Sequence, residues 1–364
     1  MKLHQLIGEL NKWAPLSLQE SYDNSGLLVG DTNQEIKKIL ITLDITEETI
    51  EEAISGAFNL IISHHPIIFK GFKSITGKTP EERAIISAIK HNISIVAMHT
   101  NLDNVNHGVN AKIAEILGLK NTQILSPVAG SLKKLVVFVP NNHLGKFRQA
   151  LFEVGAGHIG DYDQCSYGLS GTGTFRAGET ANPFVGNIGE LHEESEIRFE
   201  TIFPKQIQSK VIKAIHKYHP YEEPAYDIYS LDNLNPDIGA GMIGNLSEAM
   251  KEEDFLKLLK SKMKTDCIRH TDLRNKKIQK VAFCGGSGSF LIGAAQAQDA
   301  DIFITGDVKY HDFFLADKKL IIADIGHYES EQFTKELLRD FLIENFSKFA
   351  VQISEHQTNP INYF

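Results

Sequence analysis

The sequence predicts an α/β protein in which two similar halves form one metal-binding core and a domain of different pattern interrupts them. Aliphatic runs alternate with amphipathic segments from Lys37 onward, and the same alternation returns from Lys276 onward. Such alternation is typical of parallel or mixed sheets covered by helices. Between the halves, the segments follow the order βαββαβ, which is the ferredoxin-like order. We therefore predict three regions: residues 1–129, an insert over 130–236, and residues 237–364.

The first half opens with an amphipathic segment and continues as alternating strands and helices. Thr46, followed by acidic residues, is typical of a helix start. One face of the opening helix is apolar and consists of Leu3, Leu6, Ile7 and Leu10. The predicted strands are KKILITLDI, FNLIISHHP and ISIVAMHTNLD, the last running into a polar loop, and the predicted helices are TEETIEEAISGA, EERAIISAIKHN and HGVNAKIAEILGL.

The C-terminal half repeats this order. The number of positions between Ile41 and Ile62 equals the number between Ala282 and Phe303, which favours an internal duplication although few residues are identical. Its predicted strands are KKIQKVAFCGGSGS with a glycine-rich turn, DIFITGD and LIIADIGH, and its predicted helices are FLIGAAQAQDA, VKYHDFFLADK and the long YESEQFTKELLRDFLIENF.

The insert has its own set of elements. Its predicted strands are KKLVVFVP, SYGLSGTGTFRA, ESEIRFETIFP and AYDIYSL, and its predicted helices are LGKFRQALFEVG and KQIQSKVIKAIHKYHP. A compact unit of this size between two matching halves is typical of a domain insertion.

The bulk composition narrows the classes of function. Of 364 residues, 42% are apolar and 23% charged, as is ordinary for a globular protein with ample core. The net charge of −9 argues against nucleic acid as the main partner, because phosphate binding needs a basic surface. Three distant cysteines argue against a disulfide framework. Without a signal-like start or a long apolar run, we expect a soluble cytoplasmic protein and no membrane partner.

Two consecutive histidines, His64 and His65, follow the aliphatic run in NLIISHHPIIF. Neighbouring side chains in a strand point to opposite faces, so the pair suits a strand end better than a strand interior. In α/β sheets, ligands bind beyond the carboxyl ends of the strands. One histidine of the pair could still be incidental, but the position favours a functional role.

Three further side chains follow strands in the same way. Asp103 lies four residues after His99, at a place where an acid more often forms a turn or caps a helix. His327 and Glu331 are four residues apart at a helix start, so both lie on one helical face and can reach one ion. Taken alone, each has an ordinary structural explanation, with Glu329 as the solvated acid of that turn.

Together, the five residues offer three imidazoles and two carboxylates. That donor set suits borderline divalent metals, with zinc first and iron, manganese or cobalt as alternatives. Adjacent histidines diverge too far to bind one ion easily, but they can bind two ions bridged by a carboxylate. We therefore predict a site for two divalent metal ions formed by His64, His65, Asp103, His327 and Glu331.

Several motifs carry a family resemblance. ESYDNSGLLVGD, SHHPIIF, HTNLD, TGDVKYHD and GHYESEQF, in this order, resemble the dinuclear-metal-centre family known as GTP cyclohydrolase 1 type 2-like or NGG-interacting-factor-three-like. GAGHIGDYDQCSY, GTGTFRAG and HPYEEPAYDIY resemble the insert of its longer bacterial members, which is similar to PII and CutA proteins. The resemblance covers nearly the whole chain.

The resemblance implies a role for each predicted ligand. His64 and His65 would each bind one ion, Asp103 and His327 would complete the terminal ligands, and Glu331 would bridge the two ions. It also implies a homohexameric ring whose metal sites face an internal cavity.

The expected function is metal-dependent hydrolysis of a nucleotide, with GTP named by the resemblance. Two ions a few ångströms apart can activate a bridging water as hydroxide near neutral pH. His99 and His311 are candidates either for proton transfer or for orienting a metal ligand. The alternative is a non-catalytic metal-binding regulatory scaffold, in which the PII-like insert senses a small-molecule effector.

The glycine-rich segment CGGSGS leaves two interpretations open. Its backbone amides precede a predicted helix and could cradle a phosphate group, or the segment could simply form a tight strand–helix turn. The residues concerned are Gly285, Gly286, Ser287 and Gly288.

Overall fold

The computed structural model describes residues 1–346 and 349–364 and has a mixed α/β fold with three sheets. Its internal contacts divide the chain into two compact units. One unit combines Met1–Pro127 with Pro236–Phe364, and the other is Val128–Asn235. Within the described residues, every helix is too short or too polar to cross a membrane.

The chain up to residue 129 forms five strands and five helices. In order they are α1 (Leu3–Trp13), β1 (Gly26–Val29), β2 (Lys38–Thr42), α2 (Glu47–Ser55), β3 (Leu60–Ser63), α3 (Pro80–Lys90), β4 (Ser94–Ala97), α4 (Thr100–Asp103), α5 (Val109–Leu117) and β5 (Lys120–Ala129). The side chain of Thr46 accepts a hydrogen bond from the Thr49 amide and so caps α2, as the sequence predicted.

The middle of the chain forms four strands and two longer helices. They are β6 (Leu132–Pro140), α6 (Leu144–Glu153), β7 (Ser166–Arg176), β8 (Leu191–Pro204), α7 (Gln208–Tyr218) and β9 (Tyr226–Leu231). The strands form one antiparallel sheet in the order β7-β8-β6-β9. Phe147 on α6 and Val211 on α7 pack against Phe199 and Phe203, which lie on one face of this sheet.

The last part of the chain returns to the first unit. Its elements are β10 (Leu234–Lys251), α8 (Glu252–Lys262), β11 (Arg269–His270), β12 (Lys277–Ser287), α9 (Ile292–Ala297), β13 (Ile302–Gly306), β14 (Ile321–Asp324), α10 (His327–Glu331), α11 (Thr334–Asn345) and β15 (Ala350–Ile353).

Two mixed sheets build the first unit. One has the order β1-β4-β3-β2-β15 and the other β11-β14-β13-β12-β10-β5. In the first sheet four neighbouring strands run parallel (β15, β2, β3 and β4), and in the second three do (β12, β13 and β14). An antiparallel strand flanks the last of each set, β1 beside β4 and β11 beside β14. One hydrophobic cluster joins side chains of both sheets with α1, α5, α8 and α11, so the two sheets share a core.

Three local predictions differ from the structure. The segment 308–318 was predicted as a helix, but it forms a 3-10 helix over Tyr310–Ala316. The single helix predicted over 328–346 is divided into α10 and α11, which lets α10 face the site described below while α11 buries Leu338 and Leu342. The polar loop expected after β4 contains the one-turn helix α4.

Candidate metal centre

The carboxyl ends of parallel strands bring the five predicted residues together. His64 and His65 follow β3 directly, and Asp103 ends α4, the turn after β4. His327 and Glu331 lie on α10, which follows β14 of the other sheet. The two sheets therefore contribute to one site, which opens into a cavity of about 480 Å³.

The first cluster consists of His64, Asp103 and Glu331. The Nε2 atom of His64 lies 3.8 Å from Asp103 Oδ1 and 3.6 Å from Glu331 Oε1. His64 is fully buried, and its Nδ1 donates to the backbone carbonyl of Met98 at 2.7 Å. That bond aims Nε2 into the cluster, where it and Asp103 Oδ1 are buried without a hydrogen-bond partner.

The second cluster consists of His65, His327 and the other oxygen of Glu331. Glu331 Oε2 lies 3.0 Å from His65 Nε2 and 3.1 Å from His327 Nε2. The two Nε2 atoms are 3.2 Å apart. The carboxylate of Glu331 therefore stands between the two clusters, with one oxygen in each.

Both clusters have the spacing expected around a metal ion. Ligand atoms about 2.0–2.2 Å from one ion lie roughly 3–4 Å from each other. In each cluster, imidazole nitrogen and carboxylate oxygen lie within that range of each other. Buried polar atoms normally have a hydrogen-bond partner. The unpaired His64 Nε2 and Asp103 Oδ1 fit a group that accepts their lone pairs, as a divalent cation does.

The histidines of the second cluster are oriented by two carboxylates that the sequence analysis missed. His65 Nδ1 donates to Asp44 Oδ1, and His327 Nδ1 donates to Asp307 Oδ2, each at 2.7 Å. Such bonds fix the tautomer with Nε2 free for a metal and increase its basicity. Asp44 and Asp307 follow β2 and β13, so the rule that singled out Asp103 could also have found them.

Charge interactions shift the pKa values of the cluster strongly. Burial lowers the pKa of His65, but hydrogen bonds to Asp44 and Glu331 outweigh it and raise that pKa to about 10. Burial also opposes protonation of His327, yet Glu331 raises its pKa to about 9. Burial and the Glu331 carboxylate raise the pKa of Asp103 to about 8. Without metal, the centre therefore holds protons where a cation would fit.

The pKa of Glu331 moves in the opposite direction. Burial would raise it, but the imidazoles of His64, His327 and His65 lower it well below its usual value. Glu331 is therefore a carboxylate with both oxygens available as ligands, which is the state that a bridging residue needs.

His99 lines the same cavity beside the clusters. Its ring centroid lies 5.2 Å from that of His64 and 5.3 Å from that of His65. Its Nδ1 donates to Asp23 Oδ1 at 2.7 Å, and hydrogen bonds from His99 and Thr100 hold the pKa of Asp23 well below its usual value, against the effect of burial. The second nitrogen of His99 is thus directed away from Asp23, and its role in proton transfer or in orienting a metal ligand stays a prediction.

Comparisons with known proteins identify the family. The profile of the family described as Duf34/NIF3 (NGG1p interacting factor 3) matches residues 1–360. The chain belongs to the Duf34/NIF3 family. It is 42% identical to the GTP cyclohydrolase 1 type 2 homolog of Halalkalibacterium halodurans, covering 97% of this chain and 96% of the relative. The Bacillus subtilis homolog of the same name is 39% identical, covering 99% and 98%.

A solved structure has the same fold. The Bacillus cereus protein related to NIF3 superimposes with a TM-score of 0.88 at 38% identity, covering 100% of this chain and 99% of that one. The arrangement of sheets and helices is therefore that of a Duf34/NIF3 protein.

His311 does not join the site of this Duf34/NIF3 chain. It is exposed, with its ring against Tyr310 and Phe314, and it does not line the cavity. Proton transfer requires a group within hydrogen-bond reach of the reacting atoms, and His311 is not among the residues that line the cavity. Of the two histidines named for that role, the structure keeps only His99 beside the centre.

The glycine-rich segment is engaged by the protein itself. The amide of Gly285 donates to Asn110 Oδ1, that of Gly286 to Ser330 Oγ, and that of Gly288 to Thr305 Oγ1. The helix that follows, α9, has only six residues. Because three of these amides are bonded within the protein, the structure favours the strand–helix turn over a phosphate cradle formed by Gly285, Gly286, Ser287 and Gly288.

The glycines have a steric role instead. A Cβ on Gly286 would lie 2.3 Å from Glu331 Oε1, and one on Gly306 would lie 2.8 Å from His327 Cα. Side chains at these positions would push α10 away from β12 and β13 and displace both of its cluster residues. Gly286 also has a φ of 62°, which favours glycine.

Glu329 differs from the expectation of a solvated acid. It is 5% exposed, and its Oε1 accepts a hydrogen bond from Asn359 Nδ2. Glu329 thus points to the C-terminal segment, whereas Glu331, two residues later, points into the clusters. The pair of acids on α10 offers a matched comparison of two buried carboxylates on one turn.

Proposed function

We propose that the chain binds two divalent metal ions, one in each cluster, and that it is a metal-dependent hydrolase acting on a nucleotide. The observation that carries the proposal is the carboxylate of Glu331, with one oxygen facing His64 and the other facing His65 and His327. Imidazole and carboxylate donors suit zinc, with iron, manganese or cobalt as alternatives.

The chain's own residues would bind the ions and position a proton carrier. His64, His65, Asp103, His327 and Glu331 would hold the ions, which would supply Lewis acidity and activated water when bound. His99 stands beside both clusters, and Asp23 keeps its Nδ1 protonated, so its Nε2 is placed to accept a proton during hydrolysis.

The cavity has features that suit a nucleotide. Tyr22, Phe69 and Phe290 line it and are substantially exposed, and the rings of Tyr22 and Phe69 are 6.3 Å apart. Aromatic faces at a cavity entrance can stack on a base while phosphates or the reacting ring reach the ions. The name of the relatives, GTP cyclohydrolase 1 type 2 homolog, makes GTP the first substrate to test.

The experiment compares metal-loaded wild-type protein with Glu331→Gln and Glu329→Gln. Protein purified without oxygen is analysed for metal and then incubated with GTP, other nucleotides and simple phosphoesters, with products separated by chromatography. We expect wild type and Glu329→Gln to hydrolyse at least one substrate and Glu331→Gln to hydrolyse none while remaining folded. Turnover by Glu331→Gln equal to that of wild type would refute the proposal, as would absence of turnover by metal-loaded wild type.

A second candidate is a non-catalytic, metal-binding regulatory scaffold. It is favoured by a separate cavity within Val128–Asn235, lined by aromatic and acidic residues. In this case, metal binding would persist without turnover, and an effector would bind the middle unit. The screen above separates the two candidates, because only the first requires product formation.

We also propose the architecture and assembly that the motifs imply. Two duplicated halves, 1–129 and 237–364, would be separated in the sequence by a ferredoxin-like, PII- or CutA-like insert at 130–236. The protein would be a cytoplasmic homohexamer whose main partners are small molecules and not nucleic acid. Light scattering after size-exclusion chromatography should give six times the chain mass of 40.6 kDa, and a monomer would contradict it.

A further inference from the structure

The second cavity has a volume of about 670 Å³ and lies within Val128–Asn235. It occupies the face of the four-stranded sheet that is not packed on α6 and α7. Phe199 of β8 faces the helices, so Glu196 and Arg198, at alternate positions, face the other way. In register, Glu196 lies opposite Gly171 of β7, which also lines the cavity.

Three aromatic rings surround part of this cavity. The ring centroid of Tyr221 is 6.1 Å from that of Phe175 and 6.2 Å from that of Phe184, at angles of 57° and 46°. All three residues line the cavity. The three rings are inclined and not stacked on each other, and each also has a histidine ring beside it: His192 beside Phe175, His143 beside Phe184 and His219 beside Tyr221. Aromatic faces attract cations, and desolvated cations most strongly.

The position of Tyr221 is fixed by the motif HPYEEPAYDIY. His219 donates from Nε2 to the carbonyl of Phe138 at 2.8 Å, and its Nδ1 accepts the amide of Tyr221 at 3.1 Å. His219 is therefore a structural residue, and its role is to hold the neighbouring ring. This accounts for a motif that the metal centre does not use.

A buried carboxylate completes the cavity. Glu196 is 7% exposed, and its Oε1 accepts the hydroxyl of Tyr221 at 2.9 Å. Arg198, the nearest basic residue along β8, instead donates from Nε to Glu200 at 2.9 Å. Within the part of the chain that the structure describes, Glu196 forms no ion pair with a basic side chain.

A buried carboxylate without an ion pair is unusual because removing a charge from water is costly unless a counter-charge accompanies it. The backbone makes specific room for it: a Cβ on Gly173 would lie 2.2 Å from Glu196 Oε2. Glu222 and Glu223 also line the cavity and add negative charge, while Arg176 and Arg198 line it and add positive charge. Acidic side chains therefore outnumber basic ones in the lining, and Glu196 has no ion-pair partner among the described residues.

We propose that this cavity binds an organic ammonium cation, held between the carboxylate of Glu196 and the rings of Phe175, Phe184 and Tyr221. A divalent metal fits less well, because the clusters of metal-ligating residues found in the described chain all lie in the other unit. The proposal names the class of effector for the second candidate function, the regulatory scaffold, and does not depend on hydrolysis.

The test uses the full-length protein and titration calorimetry with choline. The comparison ligand is the neutral isostere of choline, in which a tert-butyl group replaces the trimethylammonium group. We expect choline to bind at least about tenfold more tightly than the isostere, since cation–π and carboxylate attraction require the charge. Equal affinities, or no binding of choline, tetramethylammonium or butylammonium, would overturn the proposal.

Variants separate this cavity from a general effect of charge. Glu196→Gln keeps the acceptor for Tyr221 but removes the charge, and Phe175→Leu removes one ring. Each should weaken choline binding at least about tenfold. Glu193→Gln, exposed and outside the cavity lining, should stay within about twofold of wild type. If Glu196→Gln and Glu193→Gln bind choline equally well, the assignment is wrong.

A final experiment separates choline binding in this cavity from the properties of the metal centre. Glu331→Gln should bind choline as wild type does, because Glu331 belongs to the other unit. Loss of choline binding in Glu331→Gln, with normal binding in Glu196→Gln, would contradict the proposal even if hydrolysis were confirmed.

Discussion

The two clusters that share Glu331 differ in burial and in how their histidines are held. His64 is fully buried and is oriented by a backbone carbonyl. The side chains of His65 and His327 are 20% and 33% exposed, and both are oriented by carboxylates. The donor atoms His64 Nε2 and Asp103 Oδ1 of the first cluster are thus enclosed, although the Asp103 side chain, 19% exposed, lines the same cavity to which the second cluster is open.

This difference means that the two positions should not behave alike. An enclosed ion exchanges slowly because its ligands and water must rearrange, whereas an open one can exchange through the cavity. With metal bound, the open cluster would also be the one whose remaining coordination positions a substrate could reach. We expect a retained ion beside His64 and an exchangeable, substrate-facing ion beside His65 and His327.

The largest effect should come from Glu331→Gln, which removes the feature common to both clusters. The variant loses the charge that balances two cations, so we expect metal content to fall from about two ions per chain to near zero. Mass spectrometry of metals after desalting measures this, with Glu329→Gln as the control. Retention of two ions by Glu331→Gln would show that Glu331 does not bridge.

Single-cluster substitutions should separate the positions. His327→Asn should leave about one ion per chain, because His327 contacts only the open cluster. Asp103→Asn should conversely release the enclosed ion, since Asp103 Oδ1 faces His64. Metal counts of the two proteins test this, and loss of both ions in both variants would mean that the clusters fill only together.

A smaller effect is expected from Asp44→Asn, which leaves every proposed ligand in place. His65 loses the carboxylate on its Nδ1, and removing such partners typically costs about 10–100-fold in metal affinity. Competition with a chelating dye measures the affinity of the open cluster. The control Asp254→Asn, exposed on α8, should be unchanged, and an equal loss in both would contradict the role of Asp44.

The smallest effect is on the pH dependence of stability without metal. The pKa values of His65 and His327 are raised to about 10 and 9. The stabilisation of the fold that comes from protonating these two histidines is complete below their ordinary pKa of 6.5. It is lost as pH rises through 9 to 10, and the raised pKa of Asp103 acts in the same direction. Chelator-treated protein should therefore melt at lower temperature as pH rises from about 6.5 to 10.

Bound metal should counteract that trend. Metal ligands bind in their deprotonated forms, so the stabilisation by added metal grows as pH rises. Thermal unfolding of chelated and metal-loaded samples over the same pH range tests this. A chelated protein that becomes more stable between pH 7 and 10 would contradict the pKa directions of the open cluster.

Local signals were sufficient for much of the first unit. The aliphatic runs before Ser63 and Ala97 form parallel strands, and Thr46 caps a helix, because burial pattern and capping act over a few residues. The 18-residue β10 was missed, because its glycines and proline weaken a strand pattern that pairing with β12 overrides.

In the candidate metal centre, too, local sequence signals pointed to some residues and missed others. Histidines and acids at strand ends single out His64, His65, Asp103, His327 and Glu331, and the structure brings them together; their role as ligands stays a prediction. Asp23 was not found because it lies far from His99 in sequence and follows no strand. The exposure of His311 could not be predicted either, since the segment was expected to be a helix and forms a 3-10 helix.

The sequence by itself determined the alternation of strands and helices, the net negative charge, the five candidate donor residues and the family resemblance. These properties depend on residue type and short-range order, which a chain carries in any conformation. Only the tertiary structure decided which oxygen of Glu331 faces which histidine, and that Glu329 turns elsewhere. Those choices depend on two sheets meeting over one core, with glycines that let α10 approach β12 and β13 closely.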